Sequence, residues 1–268
     1  MVNERKVREF QKKILTYYQK NGRNLPWRKT SDRYAILISE VMLQQTQVDR
    51  VIPKYLAWLE VFPTVEALAG ASLADVLRMW SGLGYNGRGK RLHELAKIVV
   101  EKHGGIIPDD PETLQELPGI GPYTARSVLI FSDNMNLAAV DTNIRRILIH
   151  EFNLSENTSS EALQKLADAC VPISLSRDWH NALMDYGAMH LTARKTGIRP
   201  TSRQSKFEGS NRWYRGRILA KITAEGMVCE KDILDEYGKG KNALEELENE
   251  GFVEKRKQKG KVQYALRS

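Results

Sequence analysis

Apolar residues recur at helical spacing almost from the start of the chain. Val7, Phe10, Ile14, Leu15 and Tyr18 form one stripe that Asn21-Gly22 ends. A second helix is expected to begin at Ser31-Asp32, either of which can cap it, with Tyr34, Leu37, Ile38 and Val41 inward and Glu40 on the edge of the stripe. Thr46 followed by Asp49 resembles a capping box with Asp in place of Glu, which starts the next helix and leaves Gln44 and Gln45 at a helix corner. More helices are predicted over 65–69, 73–80, 88–103 and 161–169, with turns at Gly82-Leu83-Gly84, Gly104-Gly105 and 108–111. Strand alternation is scarce before the C-terminal end and nothing repeats, so the fold class is mainly α.

From 196 to 210 periodicity disappears and Gly, Ser and Arg accumulate, which marks a connector. Beyond it lie three predicted short helices, 213–222, 231–237 and 242–250, then two strands, 251–253 and 261–264, around Gln258-Lys259-Gly260. Three helices and a basic hairpin make a winged-helix pattern, a module that binds DNA or contacts proteins. The expected organisation is a helical domain over 1–195, a linker over 196–210 and a small winged-helix-like domain over 211–268.

Candidate chemistry centres on Leu117-Pro118-Gly119-Ile120-Gly121-Pro122, which leaves room only for a tight turn between helical patterns at 113–117 and 123–131. Gly119 and Gly121 let the backbone approach a ligand, and the amides of the turn can face a phosphate. Pro122 suits the first helical position, where a missing N–H is harmless. The same residues also suit an ordinary linker between helices. Downstream, Asp141 precedes a helix carrying Ile144, Ile147 and Leu148. Glu40 and Asp141 form a candidate acidic pair, because breaking a C–N glycosidic bond needs an acid at the leaving group and negative charge near an oxocarbenium-like sugar. Beside Val41, Met42 and Leu43, Glu40 is expected to be partly desolvated and to favour its neutral form, while helix N-termini keep Asp141 charged. Taken singly, Glu40 also fits a solvated helix position and Asp141 a plain helix cap.

Composition narrows the partner. The chain has 268 residues, 41% of them hydrophobic, and a net charge of +8, which suits a polyanion: nucleic acid ahead of an anionic membrane. No apolar run can cross a bilayer and MVNERKVREF is too charged for a secretory signal, so a cytoplasmic, nucleoid-associated or otherwise intracellular protein is expected. Cys170 and Cys229 alone cannot build a disulfide framework or a four-thiolate metal site.

The segments LPWR (25–28), SEVMLQQTQV (39–48), WSGLGYNGRGKRLHELA (80–96), LPGIGPYTA (117–125) and VDTNIRRIL (140–148) resemble, in order, the helix-hairpin-helix DNA glycosylases. Within them they most resemble the MutY-type adenine glycosylases, which excise adenine mispaired with 8-oxoguanine. The resemblance covers about 24–194 and implies a fold of two helical lobes, with the terminal helix and the central helices over 31–140 forming the hairpin-bearing lobe. It implies that Glu40 protonates adenine N7 and supplies the attacking-water chemistry, and that Asp141 stabilises the sugar cation. Gln45 and Tyr85, with Gln44 beside them, match residues that wedge into the duplex. Chemistry on a paired base requires flipping it out, and a flat or amide side chain must fill the space. Trp27, Arg28 and Leu43 match the wall of the base pocket, and Asn181 stands where relatives use Gln or Glu against the adenine edge, which an amide can read. Gly119, Gly121 and Arg88 are expected on DNA phosphates, as are Lys255, Arg256 and Lys257 of the basic hairpin.

Tyr123 stands where relatives resembling endonuclease III hold a Schiff-base lysine; a phenol cannot form that imine, so a monofunctional glycosylase without strand cleavage is implied. The family's iron–sulfur cysteines fall on His190, Gly197, Pro200 and Lys206, so no ligand set survives and no cluster is expected. A monovalent cation at the hairpin carbonyls is the one ion that family analogy leaves open. The expected partner is double-stranded DNA with a mismatched or damaged base, bound by a monomer. Where the family commonly carries a hydrolase-like C-terminal domain, the short basic module is expected instead. Two other readings stand: removal of thymine or uracil from mismatches with guanine, since such enzymes also place tyrosine and aspartate at these positions, and a winged-helix regulator with an inert glycosylase domain. The QQT run and Glu40 favour adenine, because a departing purine gains from N7 protonation; retained Glu40 and Asp141 argue against the regulator.

Overall fold

The computed structural model describes residues 3–200, 206–258 and 260–267; residues 201–205 of the expected connector and Lys259 of the expected turn lie outside them. The chain is mainly α. Its helices are α1 (Glu4–Asn21), α2 (Arg33–Leu43), α3 (Val48–Val61), α4 (Val65–Gly70), α5 (Leu73–Trp80) and α6 (Gly87–His103). There follow α7 (Pro111–Gln115), α8 (Pro122–Asp133), α9 (Thr142–Phe152), α10 (Ser160–Cys170), α11 (Ser176–His190) and α12 (Ala193–Thr196). The C-terminal module runs α13 (Asn211–Glu225), β1 (Met227–Cys229), α14 (Glu230–Glu236), α15 (Lys241–Asn249), β2 (Val253–Gln258) and β3 (Lys261–Leu266). Among the described residues no helix is long and apolar enough to cross a membrane.

Two compact units divide the chain, one of Met1–Glu40 with Ile107–Arg203, the other of Val41–Ile106 with Gln204–Ser268. The hairpin at 117–121 therefore shares a unit with the terminal helices, whereas the helices over 41–106, which the sequence reading grouped with it, join the C-terminal module in the other unit.

The first unit is built on α1, α9, α10 and α11. Val7, Phe10 and Ile14 of α1 are buried with Ile144, Ile147, Leu163, Trp179 and Leu183, each such side chain contributing about 1.5–3 kcal/mol. Phe10 meets Trp179 edge-on at 5.2 Å and Phe152 at 5.5 Å. The approach of α11 to α9 requires Gly187, where a Cβ would lie 2.9 Å from Ile147 Cδ1.

In the second unit, Leu77 of α5 is buried in one core with Ile218, Leu219 and Ile222 of α13, Leu244 and Leu247 of α15, Phe252 and Tyr264; Leu73 and Ala74 pack against it. The sheet is antiparallel in the order β1-β3-β2, pairing Met227 with Ala265 and Val253 with Leu266. The strand at 253–258 begins later than expected because Gly251, at φ +73°, belongs to the turn. It runs further because Lys255–Gln258 is exposed on both faces, where no apolar alternation is needed. The short β1 lacks a sequence signature. The expected Thr46 capping box does not form: the residue before α3 is Gln47, and the Thr46 hydroxyl accepts from Arg88 Nη2 at 3.0 Å.

Candidate active site

The last turn of α2 carries Glu40. Ile36, Leu37, Ile38 and Met42 around it are fully buried, so the helix is held on nearly all sides and Glu40 is left half-buried. Burial, then the nearby charge of Asp141, pushes its carboxyl up to about 7, against a hydrogen bond from Ser127 that favours the ionised form.

Ser127 lies one turn after Tyr123 on α8, and its hydroxyl is also 3.1 Å from the Thr124 carbonyl. Tyr123 has its phenol raised well above the ordinary range by burial and then by Glu40 and Asp141. Asp141 is the cap of α9: Oδ1 accepts from the Ile144 amide at 2.7 Å and Oδ2 from Asn143 Nδ2 at 3.0 Å. Arg146 Nη1 in turn donates to Asn143 Oδ1 at 3.1 Å. Burial lifts the Asp141 carboxyl above its usual value, against the amides of Ile144 and Asn143 at the helix start, the Asn143 side chain and Arg146, which favour its ionised form. Glu40, Tyr123 and Asp141 thus converge within the first unit. Ser127, Asn143 and Arg146 were not singled out in the sequence, although the four-residue spacing of Tyr123 and Ser127 places them on one helix face.

The hairpin lies between α7, capped by Asp110 accepting from the Thr113 amide at 2.8 Å, and α8, which starts at Pro122 without a side-chain cap. Leu117 and Ile120 anchor the turn in the core while Gly119 and Gly121 are exposed. Gly119 takes φ +84°, a conformation in which a Cβ would be strained.

Trp27 is buried in the turn Pro26–Arg28, and Asn181 is 7% exposed on α11. Arg28, expected at the pocket wall, has its guanidinium on Asp185, at 2.8 and 2.9 Å, and 3.4 Å from the Asn181 carbonyl.

The remaining expected residues belong to the second unit. Leu43 and Gln44 are half-buried at the end of α2 and the corner after it, and Gln45 is exposed there at φ +57°. Tyr85 is exposed at φ +47°. Two non-glycine residues in the left-handed region and open to solvent mark strained turns. Arg88 binds the two turns together. Its Nη1 donates to the carbonyls of Val41, Met42 and Gln44 at 2.8, 3.0 and 2.6 Å, and its Nη2 to those of Leu83 and Gly84 at 3.2 and 3.0 Å. Only 5% exposed, it is a structural clamp and not the phosphate ligand that the sequence suggested; burial brings its guanidinium down to about 10. Lys255, Arg256 and Lys257 line β2, exposed, with Arg256 paired to Glu254.

An iron–sulfur cluster does not fit the residues present. The His190 ring sits 5.0 Å from each of Tyr17 and Tyr186, and Gly197, which closes α12 at φ +72°, and Pro200 have no ligand atom. Among the described residues no three His, Cys, Asp or Glu side chains are grouped to hold a metal ion.

A neutral carboxylic acid beside a carboxylate that accepts N–H bonds can protonate a leaving group and stabilise positive charge at once. The chain is 36% identical over 267 residues to the adenine DNA glycosylase of Mycolicibacterium smegmatis, covering 90% of this chain and 91% of that one. It is 35% identical to the adenine DNA glycosylase of Mycobacterium tuberculosis, covering 83% and 81%. Among solved structures it is similar to a thermostable thymine-DNA glycosylase, with a TM-score of 0.67 and 31% identity over 72% of this chain and 91% of that one. Residues 38–172, which hold Glu40, the hairpin and Asp141, match the model of the HhH-GPD superfamily of base excision DNA repair proteins, and the chain belongs to that family.

Proposed function

We propose that this chain is a monofunctional glycosylase that hydrolyses the N-glycosidic bond of adenine mispaired with 8-oxoguanine or guanine in double-stranded DNA. The observation that carries the reading is Glu40: a carboxyl raised to about 7 beside Asp141 is an acid half-loaded at neutral pH, as protonation of adenine N7 demands. Asp141 opposes the charge on the departing sugar. Gln45, with Gln44 beside it, and Tyr85 fill the vacated stack, a role supported by their exposure and their left-handed backbone. Trp27 and Asn181 receive the base, and the turn amides at Gly119 and Gly121 grip phosphate. Tyr123 supplies no amine, so no strand cleavage accompanies excision, and the enzyme acts as a monomer without an iron–sulfur cluster. Lys255, Arg256 and Lys257 add backbone contacts; replacing them flattens the salt dependence of binding.

Similarity to the thymine-DNA glycosylase favours a second reading, excision of thymine or uracil opposite guanine. A panel of duplexes carrying adenine opposite 8-oxoguanine, adenine opposite guanine, thymine opposite guanine and uracil opposite guanine, treated with alkali to reveal abasic sites, separates the two. Cleavage confined to the pyrimidine mismatches overturns the adenine reading; a borohydride-trapped covalent complex overturns the monofunctional one.

A further inference from the structure

Tyr85 has a partner in the C-terminal module. The turn that presents it is fixed from within: Trp80 Nε1 donates to the Gly84 carbonyl at 3.1 Å, the Arg88 amide to the Tyr85 carbonyl at 2.9 Å, and the Arg88 guanidinium lies 5.7 Å from the Tyr85 ring centre. These contacts hold the backbone, but an exposed phenol still has rotamers to choose among. In the first turn of α13, which Ser210 caps, Arg212 Nη1 donates to Tyr85 Oη at 3.1 Å, and its guanidinium carbon is 6.0 Å from the ring centre. A donor on the hydroxyl and a cation near the ring favour one orientation of the side chain.

The module holding Arg212 is not a loose tether. Leu77 of α5 is in its core, and Lys90 Nζ of α6 lies 5.9 Å from the Phe252 ring. Arg215, one turn along α13, is paired with Glu246 at 2.8 Å and Glu250 at 2.6 Å inside the module. Arg212 reaches from α13 to the side chain proposed to enter the duplex.

We propose that Arg212 is a positioning residue for Tyr85, fixing the ring for insertion beside the nucleotide opposite the excised base and so making discrimination of that nucleotide depend on the C-terminal module. This rests on the reading of the chain as an adenine glycosylase with Tyr85 in the stack. Ordering the ring before DNA arrives lowers the entropic cost of binding a mismatched site.

The test is a mutant cycle on duplexes with adenine opposite 8-oxoguanine, guanine or cytosine, reading single-turnover rate and half-saturating DNA concentration separately. Arg212→Ala lowers the preference for the best opposite base about tenfold, mainly through the half-saturating concentration. Tyr85→Phe removes the accepting oxygen but keeps the ring; it lowers the preference in the same direction, and adding it to Arg212→Ala costs nothing further. Arg212→Lys keeps the charge without the fork and restores less than half of the preference. Thermal melting of Arg212→Ala matches wild type, which separates positioning from folding. Additive effects of Arg212→Ala and Tyr85→Phe overturn the proposal, as does a uniform loss of affinity on all three duplexes, the signature of a phosphate contact. A wild type inactive on every adenine duplex brings down the adenine reading and this inference with it; an active wild type unaffected by Tyr85→Ala ends the wedge. An active wild type impaired by Tyr85→Ala but not by Arg212→Ala ends this inference alone.

Discussion

Arg28 grips both carboxylate oxygens of Asp185, at 2.8 and 2.9 Å, and Arg23 adds Nε at 2.6 Å to the same fully buried group. Burial pushes the Asp185 carboxyl up, but the two arginines more than offset it and hold the group below the ordinary range. Asp185→Asn leaves a buried guanidinium without its counter-charge, an effect of about 3–5 kcal/mol in systems of this kind. Urea denaturation is expected to show a midpoint shifted down accordingly; an unchanged midpoint shows that the pair is energetically idle.

If protonated Glu40 is the acid, the single-turnover rate falls as pH rises through about 7. Glu40→Gln is expected to lose on the order of 10²–10⁴-fold in rate while still binding mismatched DNA. A wild-type rate flat from pH 6 to pH 8.5, or full activity in the variant, removes Glu40 from that role.

Ser127→Ala provides a finer probe. The serine hydrogen bond lowers the Glu40 pKa against burial, so its loss lets the carboxyl rise further. The falling limb of the pH–rate profile is expected to move to higher pH, with little change in the plateau on its acid side. Movement to lower pH contradicts the assignment.

His180 supplies a pH dependence of stability. The Ala139 amide donates to Nε2 at 3.2 Å, so the ring proton is on Nδ1, which donates to the Ser176 carbonyl at 2.7 Å. Burial brings the imidazole down to about 4. The unfolded chain takes up a proton below roughly pH 6.5 and the folded chain only near its lower value, so this contribution is complete above roughly 6.5 and lost as pH falls toward about 4. The loss is on the order of 3 kcal/mol. Unfolding free energies of wild type and His180→Gln across that window are expected to differ in slope, with wild type the steeper; parallel curves refute the assignment.

Gln45 holds φ +57° at the corner after α2. Gln45→Gly relieves a conformational cost of about 1 kcal/mol and is expected to raise the melting temperature. It also removes the amide proposed to enter the duplex, so affinity for mismatched DNA falls. A variant both less stable and normal in binding contradicts both halves.

The residues proposed to react were legible in the chain because their signals are local. A glycine at positive φ, a proline at a helix start, and a carboxylate at the head of α9 are decided within a few residues, and Glu40, Tyr123 and Asp141 were placed from spacing and from family resemblance. What covers a helix face is not local. Helical periodicity shows that α5 has an apolar stripe, yet only the tertiary structure sets Leu77 against Ile218 and so joins the C-terminal module to 41–106. For the same reason Arg88 read as a phosphate ligand: a cation in a glycine-rich turn has the same sequence whether it faces solvent or carbonyl oxygens. Ser127 was silent because its part depends on the Glu40 carboxyl lying beside it. The proposed acid pair, Glu40 and Asp141, was named from the sequence; the burial and mutual approach that raise both carboxyls exist only once the chain has folded.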